Sequence, residues 1–265
     1  MRHASPIIVA LGAIALLCAA CAACAADPAP AEQPTTQPAA QTQPADESAP
    51  VKPAKLPHID VQLDAGYVDV AAQVVARDPD WLELLACSPN SREHESVLTT
   101  AARPSHIHLA LLMLGLEPGN PLKAEFTDDG TIKVTRPAGP RVQVTVVYEK
   151  DGKQVEHPAN QWVVHRDTGE PLPSNVWLFT GSAIVEFDGQ RVYMADVNGT
   201  VMSIVNFEDD LLAYDTELTN HNDGGQWKAA TDLIPDNGTP VTLRLRPEPK
   251  AEEPAAQDEA KTDNP

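Results

Sequence analysis

Apolar and polar residues alternate with a period of two along several short stretches of the chain. His58-Ile59-Asp60-Val61-Gln62-Leu63 and Val142-Gln143-Val144-Thr145-Val146-Val147-Tyr148 both put one apolar face against one polar face, as a half-buried strand does. Val68–Val75 and Leu82–Cys87 are short apolar runs, separated by the turn Asp78-Pro79-Asp80. Turn residues punctuate the rest. Lys150-Asp151-Gly152-Lys153 predicts a hairpin after the second alternating stretch. Asp188-Gly189 joins Ala183–Phe187 to Arg191–Ala195, Asn198-Gly199 joins that strand to Thr200–Val205, and Val241–Leu245 reads as a closing strand.

One stretch breaks the period. Ser105 stands after Pro104 as an N-cap, His106–Leu114 is the helix body, and Gly115 with Pro118 beyond it stops the helix. Its residues are apolar on every side, which predicts a buried helix packed on the sheet. The expected fold is α+β: a mainly antiparallel, sandwich-like sheet with one buried central helix near 105–115.

Patterning vanishes at both ends. Residues 27–56 are almost entirely Ala, Pro, Gln, Thr and Glu, and residues 247–265 are Pro, Glu, Ala, Lys and Asp. Neither segment has apolar side chains to bury, so both read as disordered, a tether and an acidic tail around a globular domain at 57–246. That domain has about 190 residues, enough for one core. Ahead of the tether, Met1-Arg2-His3 and the apolar run Ile7–Leu17 form a leader too short to span a bilayer, so residues 1–26 read as a signal peptide. Two processing routes fit: lipidation at Cys21 or Cys24, or cleavage after Ala26. Either route makes the chain extracytoplasmic: periplasmic, a membrane-anchored lipoprotein, or secreted.

Charge narrows the partners. A formal net charge of −19 leaves no basic face for nucleic acid or an anionic membrane surface, so the only membrane attachment expected is a lipid anchor. Aromatic residues are 5% of the chain, too few to predict an aromatic-lined sugar groove. The expected partner is a protein or a small ligand.

The richest chemistry lies between Cys87 and Gly119. Cys18, Cys21 and Cys24 belong to the leader, so Cys87 is the single core thiol. Cys87, His94 and His108 are transition-metal ligand types, with Glu95 able to join them and copper or zinc as the metal. Residues two apart on a helix point about 200° apart, so His106 and His108 do not both face one ion. Two other readings stand beside the metal. In a structural reading, His108 donates to a backbone carbonyl or to Glu95, and the helix start near Ser105 takes the same Glu95 carboxylate or an anionic ligand. Arg92 and Arg103 reinforce the contacts. In a thiol-enzyme reading, His94 or His108 activates Cys87.

Outside this segment, Trp177-Leu178-Phe179-Thr180-Gly181-Ser182 reads as a central strand ending in a turn. Thr180, Ser182 and Asp196, with Arg92 and Ser96, are the polar groups expected to line any ligand pocket. Glu208-Asp209-Asp210 and the run Asp215–Gly225 are oxygen-rich but lack the spacing of a calcium loop, so they read as solvated acidic loops.

Taken together, C…REHESV…P..IH.ALL.LG..PG, the WV at 162–163, WLFTGS and Y.AD..G.V resemble the YdjY-domain family of bacterial extracytoplasmic proteins from about Leu82 to Asn206. The matching positions are Cys87, His94, Glu95, Ser96, His108, Gly115, Pro118, Gly119, Trp162, Trp177, Thr180, Gly181, Ser182, Tyr193, Asp196 and Gly199. The resemblance implies no established activity. Members are sometimes labelled ferredoxin-like, but one core cysteine does not supply the four thiolates of an ordinary iron–sulfur cluster. The expected function is therefore a non-catalytic binding or structural module, with a periplasmic metal or redox protein as the alternative.

Overall fold

The computed structural model describes residues 56–221 and 224–248. The leader, most of the tether and nearly all of the acidic tail lie outside the described residues, as do Asn222 and Asp223. Strands run in the order β1 (Ile59–Gln62), β2 (Tyr67–Val74), β3 (Leu84–Cys87) and β4 (Ser96–Thr99), with one turn of 3-10 helix at Glu93–Glu95 before β4. Helix α1 (Pro104–Met113) leads to β5 (Lys123–Phe126), β6 (Ile132–Thr135), β7 (Arg141–Lys150), β8 (Lys153–Pro158), β9 (Val163–His165) and β10 (Val176–Phe179). The chain ends through β11 (Ile184–Phe187), β12 (Gln190–Tyr193), a short helix α2 (Met194–Asn198), β13 (Thr200–Ser203), β14 (Leu212–Tyr214), β15 (Trp227–Ala229) and β16 (Pro240–Pro247).

The main sheet closes on itself. Its order is β2-β16-β7-β10-β14-β13-β3-β4, and β4 returns to β2 through Thr99 opposite Gln73 and Leu98 opposite Val74. The result is an eight-stranded barrel of mixed direction, with β13–β14 and β3–β4 parallel and the other pairs antiparallel. This corrects the sandwich-like expectation while keeping a strand-rich fold with few helices. Period-two alternation tells which side chains face inward, but not which strand lies beside which. The closing β2–β4 contact is short and long-range, and no local pattern announces it.

Inward-facing residues of the alternating strands make the core. Val68 and Val70 on β2, Val142, Val144 and Val146 on β7, and Val241, Leu243 and Leu245 on β16 are all buried. β3, β10 and β13 are buried on both faces. A second, small apolar cluster of Leu84, Cys87, Val205 and Phe207 explains part of that double burial. The hairpin at Asp151-Gly152 forms as expected, with Lys150 opposite Lys153, and so does the one at Asp188-Gly189. The third Asx-Gly step does not. Gly199 is the left-handed C-cap of α2, and β13 pairs with β14 and β3 rather than with β12.

Helix α1 also departs from expectation. It begins at Pro104, its N-cap is Arg103, and no N-cap side chain bonds its first turn. Pro104, Ile107, Ala110 and Leu111 are buried, but Leu109, Leu112 and Met113 are exposed, so the helix lies on the barrel with one apolar face outward. Gly115 stops it with φ +82°, as predicted. Among the described residues, no helix is long and apolar enough to cross a membrane.

Candidate functional site

The sequence-predicted polar residues gather into two clusters joined by one loop. The first is built on α1. The N–H and hydroxyl of Ser105 donate to the Asp196 carboxylate at 2.8 and 2.7 Å, and the Arg103 guanidinium pairs with the same group at 2.8 Å. Asp196 lies on α2, so the helix is capped from outside itself. One turn further along α1, His108 Nδ1 lies 2.9 Å from the Tyr193 hydroxyl. The Phe179 and Tyr193 rings stand edge-on to the imidazole at centroid distances of 4.9 and 5.6 Å. Burial lowers the His108 pKa, and a hydrogen bond to the Gly181 backbone partly restores it. Burial, with the neighbouring Asp196 charge second, raises the Tyr193 hydroxyl.

Gly181 and Ser182 carry the turn after β10, with φ of +81° and +62°. A side chain at Gly181 has no room, because a Cβ there would collide with the Pro118 side chain and stand 3.2 Å from the His108 ring. Ser182 accepts the unusual backbone because its groups are fully used. Its N–H donates to the Asp210 carbonyl at 2.8 Å, its hydroxyl donates to the Asp209 carbonyl at 2.7 Å, and that hydroxyl accepts the Ala195 N–H at 3.0 Å. Thr180 Oγ1 donates to the same Asp210 carbonyl at 2.6 Å.

The second cluster surrounds Cys87, which is fully buried. Burial pushes its thiol up, opposed by the neighbouring Ser96 and Ser91 hydroxyls and the Arg92 backbone. Ser96 is itself buried and donates to the Arg92 carbonyl at 2.8 Å. Arg92 pairs with Glu95 at 2.8 Å and lies over the Phe207 ring at 4.4 Å. The His94 side chain is 77% exposed and lies 3.7 Å from Glu95.

Segment 207–210 links the clusters through Thr180, Ser182 and Thr200, whose hydroxyls donate to its carbonyls. It is not the solvated acidic loop the sequence predicts. Asp209 and Asp210 are buried, and Asp210 Oδ2 accepts the Phe207 N–H at 2.8 Å. Burial raises the Asp210 carboxyl well above the ordinary range. Ser203 and the Phe207 N–H pull against that shift, Asp209 adds to it, and Arg92 opposes it. Asp210 is the residue that sequence reasoning misread, although the apolar run Leu211-Leu212-Ala213 that follows it was the available sign of burial.

Among the described residues no group of three or more His, Cys, Asp and Glu side chains is placed to hold a metal ion. Cys87, His94, His108 and Glu95, the copper or zinc candidates, are not brought together as one such group. The thiol packs with Leu84, Val205 and Phe207, one histidine faces outward, and the other faces Tyr193. Glu95 meets Arg92 and His94 rather than His108, and the carboxylate at the helix start is Asp196. Asn222 and Asp223 of the second oxygen-rich run fall outside the described residues. Two surface hollows lie elsewhere. One of about 470 Å³ is lined by Asp78, Val164, Lys228 and Thr231, and one of about 280 Å³ by His165, Glu170, Pro171 and Trp227. Neither includes a predicted site residue.

The model of one family, described as the YdjY domain, matches residues 59–246. The chain belongs to that family. The YdjY domain thus begins at β1 and ends within β16, and includes both polar clusters and the whole barrel. No curated protein and no solved structure matches the chain.

Proposed function

We propose that this YdjY domain is an extracytoplasmic module that binds a protein or small ligand and has no chemistry of its own. The observation that carries the reading is the internal commitment of its reactive groups. His108 is held by Tyr193 and the Gly181 backbone, Cys87 is buried with a raised pKa, and Asp196 and Ser182 spend their oxygens on α1, α2 and the 207–210 loop. A nucleophile needs access and a lowered pKa, which the buried Cys87 thiol lacks, and a general base needs a free ring nitrogen, whereas His108 is already engaged by Tyr193 and the Gly181 backbone. The leader and the Pro/Ala/Gln tether support a location outside the cytoplasm, with the domain held at a distance from a membrane or free in the periplasm.

Elemental analysis by plasma mass spectrometry tests this against the copper or zinc reading, using the full chain and a Cys87→Ser variant. The module reading expects no stoichiometric metal in either protein. Near-stoichiometric copper, zinc or iron that disappears in the variant would overturn it.

A further inference from the structure

The Asp210 carboxyl is sealed in the protein on a single hydrogen bond. The residue is 0% exposed, Oδ2 accepts the Phe207 N–H at 2.8 Å, and Oδ1 has no hydrogen-bond partner among the described residues. The Ser203 hydroxyl beside it donates to the Leu212 carbonyl at 3.2 Å instead. A buried carboxylate with one donor is costly, whereas the neutral acid asks less of its surroundings. The upward shift of this group by burial agrees with that geometry.

The charges around Asp210 do not supply what the carboxylate lacks. Arg92 is the cation that opposes its burial, but that guanidinium pairs with Glu95 at 2.8 Å and lies over the Phe207 ring at 4.4 Å. His94 stands 3.7 Å from the other oxygen of Glu95. Asp209 adds a like charge and accepts from Asn198 Nδ2 at 2.6 Å. Glu208 turns to the Ala124 N–H at 2.9 Å. The β10 turn and β13 answer the segment with the uncharged hydroxyls of Thr180, Ser182 and Thr200.

The same segment covers the core thiol. Phe207 shares the small apolar cluster with Leu84, Cys87 and Val205, and its N–H is the group that Asp210 holds. We propose that the neutral Asp210 acid latches segment 207–210 over this cluster, and that loss of its proton lets the segment swing out and uncover Cys87. Opening brings the carboxyl into water, where it ionises in the ordinary range, so each opening releases one proton to solvent. The open population therefore rises about tenfold per pH unit above about pH 4, until the closed-state acid ionises as well. Cys87 reports the motion and takes no part in it.

The test labels the full chain with N-ethylmaleimide and reads Cys87 alone by peptide mass spectrometry. Between about pH 5 and 6 its rate should rise about a hundredfold, tenfold from opening and tenfold from the thiolate fraction of the exposed thiol. Asp210→Asn keeps the shape and cannot ionise, so its rate should rise only about tenfold. Amide exchange by NMR on the native chain needs no variant to fold. The Phe207 and Leu211 amides should exchange at least about tenfold faster than those of β7 and β16, and should also gain about a hundredfold over that pH unit, because base-catalysed exchange supplies the other factor of ten. The latch is overturned if native labelling rises only tenfold, or if the asparagine variant keeps the hundredfold rise. It is overturned equally if Phe207 and Leu211 exchange in step with β7 and β16, since the barrel then opens as a whole, or if they exchange while Cys87 stays unlabelled.

Discussion

Asp196 caps a helix through Ser105, ninety-one residues before it: Oδ1 of its carboxylate takes the Ser105 N–H, and Oδ2 takes the Ser105 hydroxyl and the Arg103 guanidinium. The N-cap position itself supplies no side-chain acceptor, so the free N–H groups and positive end of α1 are answered by α2. Helix placement and the α2 turn are thereby coupled.

Asp196→Ala should therefore lower unfolding free energy by about 1–2 kcal/mol, the range of a lost N-cap. Asp196→Asn, which keeps an acceptor but loses the charge, should cost less. Urea unfolding followed by circular dichroism measures both, and equal stability of the alanine variant and the native chain would show that the cap carries no weight.

His108→Ala should destabilise by about 1–3 kcal/mol, because it opens a gap beside Phe179 and leaves the Tyr193 hydroxyl without its ring partner. The loss should be the same with added zinc, added copper or a chelator. A loss seen only with metal present would contradict the structural role. Since burial lowers the His108 pKa below 6.5, the native state binds its proton less readily than the unfolded chain. Its contribution is complete above pH 6.5 and is lost as pH falls through the folded value.

Asp210 has the opposite sign. Its folded pKa is raised well above 3.8, chiefly by burial, so the native state holds the proton more tightly. Its contribution is full below about pH 3.8 and declines as pH rises through the folded value. Asp210→Asn imitates the protonated acid and should remove that decline. Stability of the variant relative to the native chain should rise as pH increases above about 4 until the folded value is passed, and no rise anywhere above pH 4 would exclude the assignment.

Gly181→Ala and Gly66→Ala separate backbone strain from collision. Both glycines have positive φ, near +81° and +70°, but a Cβ at Gly66 meets nothing within 4 Å while one at Gly181 meets Pro118. Gly66→Ala should cost about 1 kcal/mol, and Gly181→Ala about 2–4 kcal/mol from strain and overpacking together. Similar denaturation midpoints for the two would mean that the Pro118 contact relaxes freely.

The strands at 58–63, 68–75 and 142–148, the two hairpin turns at 151–152 and 188–189, and the stop at Gly115 were legible from sequence alone. Each rests on side-chain period or on the φ preference of glycine, which are local. What the chain's one-dimensional pattern does not contain is adjacency. Closure of the barrel through β2 and β4, the Asp196 cap on Ser105, the Tyr193 contact with His108 and the burial of Asp210 all join residues distant in sequence. They were decided by tertiary packing, because a carboxylate or imidazole finds whichever partner the closed sheet brings within hydrogen-bond reach, and sequence spacing does not measure that distance.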